Sequence, residues 1–512
     1  MRGVILSLMK PAYFILPLAL ISLFSGSQVG NLIVPTDILT AAVVLANPTA
    51  VVTNLNKQLT DQAIIYSSAS AVNKQSLLTN LITTARDRSN ELKKLAETDP
   101  RAFLNLVLPI SATKNLPPEV LAYIEKSTTL QSSINVIIAD DFVNKSSETF
   151  YSLRQNNKEI NFHPTTKLNL VSRTVITASG YQLDNILVAD TGKPANYSVI
   201  TPAPPLTADS LGEQKTLVLL IDIFDPGPQP FTPTEAKTLI FGNNTDSQFN
   251  KFYLEQSYGK TWFTGDVYGW ITVPLTGLPG NVCGLVDLNI SEVSSFILSN
   301  NINLANYGRV VFYISHPTLG GGCSSVGKSS VDFDGNPFSL SITYIGLGDV
   351  FILNDPSFLF NLPFHWTNLD YILSHELGHS LGVYHGNGWD CGSNILNGNC
   401  IHIEYGNNFD TMGSQAFSLH FNAFYKDILG WFGPRDLLNI SQSGRYTINS
   451  LEVATGTKAA KVVIPNTPKD FYLEYRRGIG FDSNLNKPEF LYNQSGLLVN
   501  MVPNSNNFNN PL

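Results

Sequence analysis

The stretch His375-Glu376-Leu377-Gly378-His379-Ser380-Leu381-Gly382-Val383-Tyr384-His385 decides how the rest of the chain is read. As the end of a helix it sets His375 and His379 four residues apart on one face, where both imidazoles can close on a single ion. Thr367 is a candidate N-cap with Asp370 at the capping-box position, and Gly382 is a candidate stop because glycine tolerates a left-handed turn. A break at Gly382 lets the chain fold back, so that His385 reaches the same ion from another direction. Three neutral imidazoles leave a fourth position for water, the arrangement of catalytic rather than structural zinc. Glu376 points off the ligand face, placed to take a proton from that water and deliver it to a leaving amine.

Two other readings of these residues stay open. The histidines could be ordinary polar surface, against which stands their concentration in a chain with 8 histidines among 512 residues. Glu404 lies at a usable distance to act as third ligand in place of His385, a reading that leaves Gly382 and His385 without a role.

The string resembles the metzincin zinc-peptidase signature H-E-x-x-H-x-x-G-x-x-H, with every fixed position filled. The resemblance implies a methionine turn under the metal, for which Asn408-Phe409-Asp410-Thr411-Met412-Gly413-Ser414 is the candidate. Ser257-Tyr258-Gly259-Lys260, Thr264-Gly265-Asp266-Val267, Tyr405-Gly406-Asn407 and His420-Phe421-Asn422-Ala423 are similar to the gametolysin group of secreted endopeptidases, with kinship to the immune-inhibitor-A type. Leu429-Gly430-Trp431 and Leu473-Glu474-Tyr475-Arg476-Arg477 extend the likeness, which covers roughly residues 215 to 500. It implies an α+β fold with a metzincin-type catalytic domain, a twisted mixed sheet plus a zinc helix. It also implies one catalytic Zn2+ on His375, His379 and His385, Glu376 as general base, and structural roles for Gly382 and Met412. One departure stands out. Astacin-like and serralysin-like members place a tyrosine two residues after the turn methionine, where this chain has Ser414, so no tyrosine role is carried over.

Around this centre the chain divides into four expected parts. Residues 1–28 read as a signal peptide, with Arg2 and Lys10 ahead of an apolar run from Ala12 to Phe24 and small residues after it; an uncleaved N-terminal anchor is the alternative. No later stretch approaches the roughly twenty apolar residues of a membrane span. Residues 29–205 read as a propeptide, helical over 57–126 with Leu81, Ala85, Leu92 and Leu95 at helical spacing, then a β module over 133–200. Thr201-Pro202-Ala203-Pro204-Pro205 reads as an exposed linker. A permanent accessory domain is the alternative to a propeptide. No cysteine precedes Cys283, so latency in a zymogen would need steric cover or another ligand, such as His163 or an aspartate.

Residues 206–435 form the expected catalytic domain: a buried strand at Thr216–Ile223, a helix over 234–256, strands over 261–273 and 306–315, and a glycine loop at Gly320-Gly321-Gly322. Ser339–Gly346 is the expected cleft strand, and Ala423–Trp431 a closing helix. Asp332-Phe333-Asp334-Gly335-Asn336 faintly resembles a calcium loop but lacks the distal glutamate and reads better as a turn, leaving calcium unsupported. Residues 436–512 alternate and are expected to be β-rich, with a fragment missing its last strands and a shortened natural form as the two readings of the end. An even number of cysteines in an exported chain reads as disulfides. Of three pairings, Cys283–Cys323 with Cys391–Cys400 is favoured, against free buried thiols.

An acidic balance, 40 Asp and Glu against 32 Lys and Arg, argues against nucleic acid and against a polybasic membrane surface. Together with the motif, the resemblance implies a secreted, monomeric zinc endopeptidase acting on extracellular proteins. A non-catalytic adhesin or matrix-binding module on the same fold is the alternative, and a structural zinc site a third reading.

Overall fold

A computed structural model describes residues 47–503 apart from 115, 143, 157, 224–228, 243–246, 276–281, 317–318, 347–363, 393–399, 414–417, 466–468 and 487–495. The expected signal peptide or anchor, Ser414 and the last nine residues lie outside the described part. The described chain is mixed α and β and packs as two units, one holding residues 47–128 and 179–190, the other 129–178 and 191–503.

The first unit is built on helices Pro48–Ser68 and Ala71–Thr98, each a long amphipathic segment. Leu81, Ala85, Leu92 and Leu95 recur at three-to-four spacing and are buried, as the sequence pattern requires. Arg88 falls on the same buried face. It is tolerated there because Glu125 meets it with two bonds of 2.6 and 2.7 Å. Asp99 caps the next short helix by accepting from the Ala102 amide at 2.9 Å, with Pro100 in its first turn.

The strands, in chain order, are β1 (Lys126–Asp141), β2 (Ser146–Gln155), β3 (Lys158–Pro164), β4 (Val175–Leu183), β5 (Ile186–Ala189) and β6 (Tyr197–Thr201). They continue as β7 (Gly212–Asp222), β8 (Thr261–Thr272), β9 (Arg309–Ser315), β10 (Gly322–Ser325), β11 (Ser329–Phe333) and β12 (Asn336–Gly346). The last six are β13 (Gly388–Asp390), β14 (Ile401–Ile403), β15 (Leu437–Ile440), β16 (Ala459–Val463), β17 (Lys469–Arg476) and β18 (Gly496–Pro503).

Within the second unit, a mixed sheet runs β3-β2-β1-β10-β12-β9-β7-β8. β12, β9, β7 and β8 are parallel, whereas β10 and β1 are antiparallel to their neighbours. The apolar runs of β7 and β9 are continuous rather than alternating because both faces are covered. Val218, Leu220, Val311 and Tyr313 face one core with the motif helix, while Leu217, Leu219, Ile221, Val310 and Phe312 face the other. β15 to β18 form a second, four-stranded sheet among the described residues of the C-terminal segment.

Several expectations need correcting. The helix over 234–256 is two helices, Pro233–Phe241 and Gln248–Gln256, the second capped by Ser247 accepting from the Asn250 amide. The motif helix begins at Phe364, directly after Pro363, a residue that helices accept only in the first turn; Thr367 therefore sits inside it rather than at its cap. The strand facing the motif helix at the cleft is β10, which starts at the last residue of the glycine loop, while Ser339–Gly346 belongs to β12 deeper in the sheet. The closing helix is Ala423–Ile428, stopped at Gly430 with φ 73°. Asp332–Asn336 is the tight turn between β11 and β12, its Asp332 carboxylate accepting from the Gly335 amide at 3.0 Å. Both favoured disulfides form: Cys283–Cys323 with Cα atoms 5.6 Å apart, and Cys391–Cys400 with Cα atoms 4.1 Å apart. The first pins β10 beside the site described next.

Candidate metal centre

The motif helix (Phe364–Leu381) delivers His375, Glu376 and His379 into a fully buried space. It ends at Gly382, where φ is 107° and a Cβ would lie 2.3 Å from Leu206 Cδ2. Only glycine suits both the left-handed backbone and the close packing. The chain then turns back, and Val383-Tyr384 carry His385 to within 3.0 Å of His379, Nε2 to Nε2.

Each ring is fixed from behind. His375 Nδ1 lies 2.8 Å from the Thr411 carbonyl, His379 Nδ1 2.8 Å from the Val383 carbonyl, and His385 Nδ1 2.5 Å from Glu404 Oε1. Carbonyl and carboxylate oxygens only accept, so each Nδ1 carries its hydrogen, and each ring, when neutral, turns a bare Nε2 inward. Three inward lone pairs cannot satisfy one another. They require positive charge between them.

A fourth group joins them from β1. Asp140 Oδ2 lies 3.4 Å from His375 Nε2 and 3.3 Å from His379 Nε2, and Asp140 Oδ1 lies 3.0 Å from His385 Nε2. Ligand bonds of 2.0–2.1 Å in a tetrahedron put ligand atoms about 3.3–3.4 Å apart, which these separations approach. The four ligand atoms all lie within 4.8 Å of one another, and the buried cluster could hold a metal ion. Asp140 Oδ2 and His375 Nε2 are buried with no hydrogen-bond partner, as expected of atoms shaped for an ion. Imidazole with carboxylate is a donor set that suits zinc and other first-row divalent ions.

The electrostatics point the same way. Burial works to lower His385, but Asp140 and Glu404 outweigh it and raise its pKa to about 9. His379 is held down to about 4, chiefly by burial. Burial also opposes the charge on Asp140, yet the charge of His385 beside it holds its pKa well below the carboxylate range. The cluster thus asks for a cation, supplied either by a proton on His385 or by a metal. Glu376 is different: burial first, then the charge of Asp140, raise its pKa well above the usual range, and both its oxygens are buried without a partner. It packs against β10 so closely that a Cβ on Gly322 would lie 2.3 Å from its Oε1.

Met412 lies directly under the helix, its Sδ 2.5 Å from where a Cβ on Gly378 would stand. Asp410 shapes this turn by accepting from the Met412 amide at 2.8 Å and the Asn422 amide at 2.7 Å. The structure thus brings together His375, His379, His385, Glu376, Gly382 and Met412, and it places Cys323 on the neighbouring strand. Glu404 backs His385 instead of replacing it, which removes the alternative ligand set. His163 sits on β3, outside the cluster.

Two residues escaped the sequence reading. Asp140 ends the alternating run that begins near Ser133, but nothing in its spacing links it to histidines more than two hundred residues away. Tyr405 was visible only within the Tyr405-Gly406-Asn407 string. Its hydroxyl donates to Asp140 Oδ1 at 2.6 Å, and its ring stands 4.2 Å from that of His385.

No protein-family model matches this chain, and no curated protein matches it either. Among the described residues, no helix is long and apolar enough to cross a membrane.

Proposed function

We propose that the chain is an exported zinc-dependent endopeptidase of metzincin type, hydrolysing peptide bonds in extracellular proteins. The observation that carries this reading is the pairing of three inward Nε2 atoms with a buried, unpartnered Glu376 carboxylate beside them. A purely structural site, or a matrix-binding module, has no use for that second carboxylate. The H-E-x-x-H-x-x-G-x-x-H string and the methionine beneath the helix support the family, and the two disulfides support export.

When bound by the three imidazoles, zinc supplies Lewis acidity, polarising the scissile carbonyl and lowering the pKa of water. The protein's own residues do the rest. Glu376, with a raised pKa, accepts the proton of the attacking water. The water oxygen bonds to the carbonyl carbon, the C–N bond breaks, and Glu376 returns the proton to the departing amine. Tyr405 is within reach to donate a hydrogen bond to substrate oxygen, since its hydroxyl already does so to Asp140. Thr411, Val383 and Glu404 keep the rings from turning.

In this conformation Asp140 would share the ion with the three imidazoles, so the Asp140→Ala variant of the full chain is the form to assay. It should cleave denatured casein, stop with chelator and resume with added zinc. Asp140→Ala/Glu376→Ala should bind one zinc and cleave nothing. Undiminished casein hydrolysis by the double variant would overturn the assigned base.

A further inference from the structure

β10 is hydrogen-bonded to β12 on one side, so its other edge is the one a visiting peptide could join. β1 occupies that edge, with Ala139 opposite Cys323 and Asp140 opposite Gly322. Asp140 enters the histidine cluster, and two residues on, Phe142 turns its ring into the same cleft. That ring meets His375 edge-on at 5.1 Å between centroids, Tyr371 at 5.8 Å and Tyr405 at 6.3 Å. The β1–β2 turn follows at once, with Asp141 accepting from the Asn144 amide at 2.9 Å. A turn residue ordinarily faces water; this one is half-buried against the core under the motif helix.

We propose that the seat of Phe142 is a substrate subsite for a large aromatic side chain, filled in this form by the chain's own β1 acting as a tethered stand-in for substrate. The inference rests on the peptidase reading and deepens it. A substrate that reaches the metal must displace β1 and pair with the same edge of β10. With β1 gone, the walls it uncovers are two tyrosine rings and an imidazole, which favour an aromatic ring in edge-on contact. A substrate running in the direction of β1 places that ring on the C-terminal side of the scissile bond, within about two residues of it.

Two measurements on the full chain separate this inference from the peptidase reading. In the first, zinc-loaded Asp140→Ala is given a randomised peptide library. Cleavage with Phe, Tyr or Trp enriched on the order of tenfold at one position C-terminal to the cut is the expected result. Cleavage with no aromatic enrichment there overturns the subsite and leaves the peptidase standing. The second measurement needs neither metal nor turnover. Phe142→Ala empties the seat, and N-acetyl-phenylalaninamide is titrated against it with N-acetyl-alaninamide as control. Binding of the aromatic amide at least roughly tenfold tighter, lost in wild type where Phe142 fills the seat, supports the subsite. Equal binding of both amides overturns it, and the library measurement on Asp140→Ala decides should Phe142→Ala fail to fold.

Discussion

Replacing Gly378 by alanine tests how tightly the motif helix is seated on the methionine turn. In an exposed helix this change stabilises by about 1 kcal/mol, because alanine loses less conformational entropy than glycine. At Gly378 the added Cβ would stand 2.5 Å from Met412 Sδ and 2.9 Å from Phe421 Cζ, both of which belong to fully buried residues. Overpacking of this kind costs about 1–3 kcal/mol, and the flexible Met412 has little free volume to move into. The two effects leave a net loss of up to about 2 kcal/mol. Trp262, Trp270, Trp366, Trp389 and Trp431 all belong to the unit that contains the site, so guanidinium unfolding followed by tryptophan fluorescence reports it directly. Met412→Ala should create the missing room, and the double variant should recover part of the loss, with a coupling of about 1 kcal/mol. A Gly378→Ala protein more stable than wild type would refute the packing argument.

Two further outcomes follow from the surroundings of single side chains. Glu404→Ala removes the carboxylate 2.5 Å behind His385 Nδ1 and should weaken metal binding about 10- to 100-fold, measured by competition with a chromogenic chelator; unchanged affinity would mean that the buttress is unimportant. Burial lowers the His163 pKa from 6.5 to about 4, so the unfolded chain binds that proton more readily and the folded state loses stability as pH falls through this window. The loss attributable to His163 is about 3 kcal/mol, and in His163→Leu the stability difference between pH 7 and pH 4 should shrink by roughly that amount.

Much of the centre could be read from the sequence because its parts are local. A helix fixes His375, Glu376 and His379 relative to one another, and a glycine at the right place folds His385 back onto them. The helix start at Pro233 also carried a local signal that the reading from residue 234 did not use, the capping box of Thr232 and Glu235, where each side chain bonds the other residue's backbone. What escaped depends on long-range pairing. β10 holds Gly322-Cys323-Ser324-Ser325, residues with little strand preference; it is a strand because β1 and β12 bond it on both edges, and Gly322 is the residue that leaves room for Glu376. Asp140 reaches the histidines through that same pairing, which no spacing rule encodes. The break between Phe241 and Gln248 carried a local signal, Gly242-Asn243-Asn244, that the apolar periodicity on either side outweighed.

The central claim is that His375, His379 and His385 turn their Nε2 atoms onto one divalent ion. X-ray absorption at the zinc edge, on the purified full chain loaded with one equivalent of zinc, tests it most directly. The expected spectrum is that of a four-coordinate ion with about three imidazole nitrogens and one carboxylate oxygen, the oxygen exchanging for solvent in Asp140→Ala. Sulfur in the first coordination sphere, or an unchanged spectrum in His385→Ala, would contradict it.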